Sequence, residues 1–466
     1  MQRTTVKTIS LPNHQKTRHN FNALKVAASA EVQETEKALA PVVPFASQKI
    51  IRITTVPMAL KYLLPGQMNF MKKNGYDVLM ISADGKELPD VIANEKCRHK
   101  IVPMTRRITP LQDLKCLIQL IRIFSKEKPD IVHSHTPKAG LLGMIAAKIC
   151  GVKTRVHTVA GLPMMVENGM KFKLLKLLEK ITYAAATNVW PNSGSLLNYI
   201  TDNRLTKRSK LQVIGKGSSN GINLSKFNNG QLNQATIDEI KTEINYSSAN
   251  TYLLFMGRLV KDKGIVELVN AFTALQPTRP GLRLLLVGDF EQALDPLPHH
   301  ITEIIKNNDA VIHVPWTNKV EYFMNIADHF VFPSHREGFP NVLLQAGAMK
   351  LPIICSSIPG NIDIVQNKQT GLLFQTANET SLREAIEYAV SQKENTSEMA
   401  QKLNEVINAG FQHTFIWQNL LFQYKRLQHT HAAKPGVLQQ ARTAVAEWAK
   451  QIAYSLQQPS YHVEKQ

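Results

Sequence analysis

The chain has 466 residues, 44% of them hydrophobic, and 55 Lys+Arg against 36 Asp+Glu give it a formal charge of +19. That length supports two or more domains with their own cores, and no apolar run approaches the ~18 residues of a membrane-spanning helix. The positive excess calls for an acidic partner. Zinc-finger spacing, basic-region heptads and an aromatic RNA-binding signature are absent, which leaves anionic lipid and phosphorylated small molecules rather than nucleic acid.

The first 20 residues lack the apolar block of a signal peptide, so the protein is expected to be made and kept in the cytosol. Residues 1–47 are basic as far as Lys25, then Ala/Glu-rich, and carry no sustained periodicity. They read as a disordered or partly helical tail. The four cysteines (Cys97, Cys116, Cys150 and Cys355) are scattered without a Cys-x-x-Cys pair. They are predicted to be reduced thiols, neither a disulfide frame nor a zinc site.

From there strands and helices alternate. "KIIRITTV" is rich in β-branched residues and reads as a buried strand. "QMNFMKKNG" reads as a helix closed by Gly75, and "YDVLMIS" as a second strand. "PLQDLKCLIQLIRIFSKEKP" is a long amphipathic helix, followed by the strand "DIVHSH", the helix "AGLLGMIAAKICG" and the strands in "KTRVHTV" and "ATNVWPNS". A second series begins near Thr251, running from "TYLLFMG" through "GIVELVNAFTAL", "LRLLLVG", "AVIHVP", "KVEYFMNIAD", "HFVFPS" and "NVLLQAGAMK" to "PIICSS". Such alternation predicts α/β architecture with parallel sheets covered by helices. The expected divisions are a Rossmann-like domain at 48–216, a polar connector at 217–250, a second Rossmann-like domain at 251–430, and an amphipathic helix and tail at 431–466. The helical spacing in that last segment runs through Val437, Ala441, Val445, Trp448, Ile452 and Leu456.

Two stretches carry chemistry. In "MGRLVKDKGIVELV", Arg258 and Lys263 sit between a strand and a helix, at the sheet edge where open α/β folds bind ligands. Two cations beside a helix start suit a diphosphate, although neither a Walker nor a dinucleotide glycine pattern is present. In "PSHREGFPNVLLQAGAM", Glu337 lies in a loop at the same edge and Pro340 fits the first helical turn. A carboxylate there can accept hydrogen bonds from the vicinal hydroxyls of a sugar. Gln345 is placed to reach a second polyol, such as a ribose.

Together these stretches resemble the retaining glycosyltransferases of family 4, which have the GT-B fold: two Rossmann-like domains facing across a cleft. "DIVHSHTPKAGLLG" resembles the family's histidine loop, "GSSNGINLSKF" its interdomain turn, "VPWTNKVEYFM" its base-binding loop and "GNIDIVQNKQTGLLF" its closing motif. The likeness spans about residues 49–428. The family's acidic motif has two glutamates with seven residues between them, the first on the donor sugar and the second on the nucleotide ribose. Glu337 keeps the first role and Gln345 replaces the second, a neutral acceptor that makes the weaker bond. Asn223 stands for the usual Asp and Asp363 for the usual Glu.

The resemblance implies that Arg258 and Lys263 hold the donor diphosphate and stabilise its leaving charge. It requires neither metal nor other cofactor, and the leaving phosphate itself takes the acceptor proton. The nucleotide would also touch Gly66, Gly257, Trp316, Gly338, Phe339, Pro340 and Asn341. His133 and His135, alternating at a strand end, are expected to face opposite sides, with His135 contacting the donor sugar in the cleft. His157 is a second candidate, near the acceptor. The helix "GMKFKLLKLLEKITYA" interleaves Lys171, Lys173 and Lys176 with apolar residues, the composition of a membrane-surface helix. Arg106 and Arg107 add charge that would meet a lipid diphosphate. The expected enzyme therefore works peripherally on the cytoplasmic face of the cell membrane. It moves a sugar from a nucleotide diphosphate, UDP first, to a polyprenyl-diphosphate-linked acceptor for capsule, O-antigen or exopolysaccharide. The overall match is nearest to capsular-type members and lipid-linked N-acetylgalactosaminyltransferases. A nucleotide-sugar 2-epimerase shares this fold, and a non-catalytic nucleotide-sugar-binding module would accommodate Gln345.

Overall fold

The computed structural model describes residues 48–291 and 295–432. The segments read as an N-terminal tail (1–47) and as an amphipathic helix (437–456) lie outside them. In the first half the elements are β1 (Lys49–Ile53), α1 (Pro57–Leu63), α2 (Gln67–Lys73), β2 (Asp77–Ser82), α3 (Leu88–Glu95), β3 (Arg98–Ile101) and α4 (Pro110–Glu127). They continue with β4 (Ile131–His135), α5 (Pro137–Ile149), β5 (Thr154–Val159), α6 (Gly169–Ala185), β6 (Asn188–Pro191) and α7 (Gly194–Asp202). The second half holds α8 (Gln234–Glu243), β7 (Thr251–Met256), α9 (Ile265–Leu275), β8 (Leu282–Val287), α10 (His299–Asn307), β9 (Val311–Val314) and α11 (Val320–Ile326). It closes with β10 (His329–Phe332), α12 (Asn341–Ala348), β11 (Ile353–Ser356), β12 (Leu372–Phe374), α13 (Glu379–Ser391), α14 (Lys393–Gly410) and α15 (His413–Ala432).

The strands form two six-stranded sheets, ordered β3-β2-β1-β4-β5-β6 and β12-β11-β10-β7-β8-β9, and neighbouring strands pair in parallel. Each half therefore starts in the middle of its sheet, winds outward one way, then crosses back and winds the other way. The reversal leaves a crevice beside the first strand of each half, and loops leaving the strand ends there bind ligands. In the first sheet it lies between β1 and β4, in the second between β7 and β10.

Alternation along β1 sends Ile51 and Ile53 to one face of the first sheet and Ile50 and Arg52 to the other. The first face is covered by α4, α5 and α6 through Cys116, Leu120, Phe124, Ala146 and Tyr183. The second packs against α1 and α2, and also against α15, which returns from the far end of the chain to place Leu420 and Tyr424 on Ile131 and Trp190. The second sheet has its own core around Leu254, Leu285, Phe330 and Ile354.

Two short strands escape a periodicity reading: β3 at a sheet edge and the three-residue β12. The polar stretch read as a connector is also not structureless. Asn233 caps α8 by accepting from the Thr236 N–H, and the buried Ile237 and Ile240 join the second core. All four cysteines are free, and only Cys150 is less than fully buried.

Candidate active site

The loop after β7 and the loop after β10 meet at the crevice of the second sheet. Gly264 makes the meeting possible. It is left-handed, at φ 71°, and a Cβ there would stand 2.2 Å from the Pro333 carbonyl oxygen, so only glycine lets the first loop settle on the end of β10. Three side-chain pairs then join the loops. Arg336 Nη2 lies 2.9 Å from Asp262 Oδ2, His335 Nε2 donates to Glu267 Oε1 at 3.0 Å, and Lys263 Nζ pairs with Glu337 Oε1. The same Glu337 oxygen accepts from the Ser334 hydroxyl at 2.8 Å. The bond to Glu267 holds the His335 imidazole above its usual range, against the opposing effect of burial.

Lys263 and Glu337 are thus brought together, both mostly buried, which strengthens their attraction relative to a surface pair. Arg258 is more exposed and pairs with Glu291, beside Gly257 at the exit of β7. α12 begins only at Asn341, with Pro340 as its N-cap rather than within the first turn. Glu337 is therefore set by an irregular loop and not by helical rise. Gln345 is half-buried on α12. Trp316 is exposed, donates its backbone N–H to Asp289 Oδ1 at 3.0 Å, and meets Tyr62 of α1 edge-on at 5.8 Å.

Other contacts join the halves around this loop. A Cβ on Gly338 would lie 1.8 Å from the Ala160 carbonyl oxygen of the first half, so the loop bearing Glu337 lies directly on the chain after β5. Asn341 Oδ1 accepts from Ser218 Oγ at 3.5 Å, while Phe339 anchors the loop in the second half's own core by packing on Phe411 at 5.5 Å. Asp363 bonds both the backbone N–H, at 2.9 Å, and the hydroxyl of Ser195 in the first turn of α7, where the helix dipole favours an acid. Asn223 accepts from the Ser225 N–H at 3.0 Å, shaping the turn between the halves.

The histidines require correction. His133 and His135 do not face opposite sides, because residues two apart on a strand share a face. Their rings stack at 4.4 Å. Both are buried, and His135 lines a small pocket of about 20 Å³ with Gln67, Thr158, Asn192 and Ser218 rather than an open cleft. Burial first, then the Arg52 charge, holds both imidazoles well below the usual range. His157 points to the opposite face, against Gly140 and Tyr183, and burial pushes it down to about 4. It is a buried residue held by Ser134 Oγ at 2.9 Å. Gly66 is the N-cap of α2, lies against the Trp417 indole and donates its N–H to Glu95 at 2.6 Å.

On the helical layer of the first half, Lys171 pairs with Glu167, Lys176 sits 5.5 Å from the Phe172 ring centroid, and Lys173 is exposed. Arg106 and Arg107 are exposed, and the Arg107 carbonyl accepts from Lys138. The loop pairs Asp262–Arg336 and Glu267–His335 were not singled out by the motif reading. Their signal was the charge density of "KDKGIVE" and "SHRE" themselves.

Residues 54–193 match the family model described as "Glycosyl transferase 4-like" and residues 236–406 the one described as "Glycosyl transferases group 1". The capsular polysaccharide biosynthesis glycosyltransferase CapM of Staphylococcus aureus is 34% identical over 378 residues, 81% of this chain and 97% of CapM. This chain is a family 4, group 1 glycosyltransferase. The glycosyltransferase is also 29% identical over 318 residues to the Escherichia coli UDP-Gal:alpha-D-GlcNAc-diphosphoundecaprenol alpha-1,3-galactosyltransferase, covering 66% of this chain and 79% of that one. Among solved structures, Anabaena HepE in complex with UDP and glucose superposes with a TM-score of 0.67 at 15% identity, over 81% of this chain and 99% of that one. At that identity the likeness is one of fold, and it agrees with the two-sheet GT-B architecture of the glycosyltransferase.

Proposed function

We propose that this glycosyltransferase moves a hexose or N-acetylhexosamine from a UDP-sugar to a sugar carried on a polyprenyl diphosphate, with retention at the anomeric carbon. The observation that carries the reading is the Lys263–Glu337 pair, with Arg258 nearby, at the crevice of the second sheet. Glu337 would hold sugar hydroxyls while Lys263 and Arg258 face the diphosphate. As the bond from the anomeric carbon to the β-phosphate oxygen breaks, negative charge grows on the leaving UDP and the two cations offset it. The acceptor hydroxyl oxygen bonds to the same face of the anomeric carbon, and its proton passes to the leaving phosphate oxygen. The UDP and diphosphoundecaprenol choices are supported by the reaction named for the E. coli relative.

The acceptor's lipid would bring the enzyme to a membrane surface. α6 exposes Met170, Leu174, Leu177 and Ile181, a stripe at helical spacing flanked by Lys171, Lys173 and Lys180. α4 exposes Leu111, Leu114 and Ile118, beside Lys115. Among the described residues no helix is long and apolar enough to cross a membrane, so these stripes suit an interfacial contact with anionic lipid.

The test is a donor panel. UDP-, GDP- and ADP-sugars are offered with and without a membrane lipid extract, and nucleotide diphosphate release is followed. Lipid-dependent release from one UDP-sugar is expected. UDP binding without release from any donor would instead favour a non-catalytic module.

A further inference from the structure

Arg52 is 1% exposed on a central strand, and no carboxylate pairs with it among the described residues. An unpaired buried charge is costly, so its partners are informative. Its guanidinium donates to His133 Nδ1 at 2.9 Å, to the Tyr424 hydroxyl oxygen and to Gln67 Oε1. The Tyr424 hydroxyl lies 2.5 Å from the same His133 Nδ1, so it and the guanidinium share the single lone pair of that nitrogen. With Nδ1 accepting, the His133 proton lies on Nε2, which donates to Thr158 Oγ1 at 2.7 Å. His133 is therefore pinned at both nitrogens, and His135 stacks on its face. His135 Nε2 is buried with no hydrogen-bond partner, and the ring lines the pocket beside Asn192 and Ser218.

We infer that Tyr424 and Arg52 are positioning residues for His135. α15 inserts a hydroxyl beneath the first sheet, the hydroxyl and guanidinium lock His133, and His133 fixes the plane and height of the His135 ring. The inference rests on the proposed transferase function and on the resemblance's assignment of His135 to the donor sugar, which would reach the ring through the small pocket it lines. The titratable or charged groups around His135 are Arg52 on β1, His133 on its own strand, His157 on β5 and Tyr424 on α15. None of them takes a carboxylate hydrogen bond among the described residues, so burial first and the guanidinium charge second keep the stack neutral. A neutral ring offers its free nitrogen to a sugar hydroxyl without competing for the cations that hold the diphosphate.

Steady-state kinetics on Tyr424→Phe, Arg52→Met and His135→Ala test this, each checked for a wild-type-like melting transition. Tyr424→Phe keeps the ring packed on Trp190 and Tyr76 and loses only the hydroxyl. The expected result is a fall in kcat of about tenfold, with the donor KM changed less than about twofold, the pattern of a misplaced transition-state contact. In Arg52→Met the acidic limb of the kcat/KM–pH profile should move to higher pH as the histidine stack loses the repelling charge, while burial still holds it below the ordinary range of about 6.5. A merely structural role would lower stability without moving that profile. If His135→Ala loses activity while Tyr424→Phe keeps wild-type kcat and Arg52→Met keeps the wild-type profile, the positioning role is wrong. If His135→Ala itself is fully active, the assignment of His135 fails first.

Discussion

Gln345 is where this chain departs from the family's acidic motif, and its amide makes no side-chain hydrogen bond with the described residues. If it meets the ribose, Gln345→Glu replaces a neutral acceptor with a charged one, and charge-assisted bonds are roughly twice as strong. The donor KM should fall about three- to tenfold with kcat little changed, read from UDP-sugar titrations of initial rate. An unchanged KM would remove Gln345 from the nucleotide site. A second residue bears on stability. Glu179 on α6 is buried without an ion pair among the described residues, and burial pushes its carboxyl up to about 7. The folded state then keeps a proton that the unfolded chain releases near its ordinary value of about 4.3. Stability should fall as pH rises from there to about 7, and level off above. Glu179→Gln should flatten that slope and raise Tm at pH 8, by differential scanning calorimetry across pH. At this scale the sequence was only partly legible. Lys263 and Glu337 stand in recognisable motifs, whereas Arg52 was read only as part of a buried strand. Nothing local announces that Tyr424, 372 positions away, is its partner.

Elements were easier to read than the faces they present. The helix over Gly169–Ala185 was expected to be basic and apolar, and so it is, but only the structure separates its two apolar sets. Phe172 and Leu175 pack toward the core, whereas Met170 is 80% exposed on the outward stripe. α4 repeats the arrangement with Leu111, also 80% exposed, although its overall pattern reads as an ordinary core helix. The double variant Leu114→Glu/Leu177→Glu should therefore weaken binding to phosphatidylglycerol vesicles by at least about tenfold, since each buried leucine is worth roughly 1.5–3 kcal/mol at full burial. Vesicle sedimentation measures this, and Tm should barely move because both side chains are exposed in the fold. Equal sedimentation of variant and wild type would assign these stripes to something other than lipid. α8 was missed for the opposite reason: its two core isoleucines are embedded in a polar run, and tertiary burial rather than periodicity decides its place.

For the molecule as a whole, strand–helix alternation was enough to predict two parallel sheets, because parallel neighbours need covering crossovers. It did not reveal how the halves touch. That depends on Gly338 against the Ala160 carbonyl, on Asp363 at the first turn of α7, and on α15 crossing to the first sheet, contacts between residues far apart in the chain. Their joint effect is to set the loop of Glu337, which pairs with Lys263, directly against the first half. The most direct test of the account follows a radiolabelled sugar from UDP into butanol-extractable lipid, comparing wild type with Lys263→Ala. The account predicts lipid-dependent labelling by wild type from one UDP-sugar and a loss of about a hundredfold or more in the variant, the size expected when an electrostatic contact to the leaving group is removed. Labelling by Lys263→Ala at the wild-type rate, or none by wild type from any donor, would contradict it.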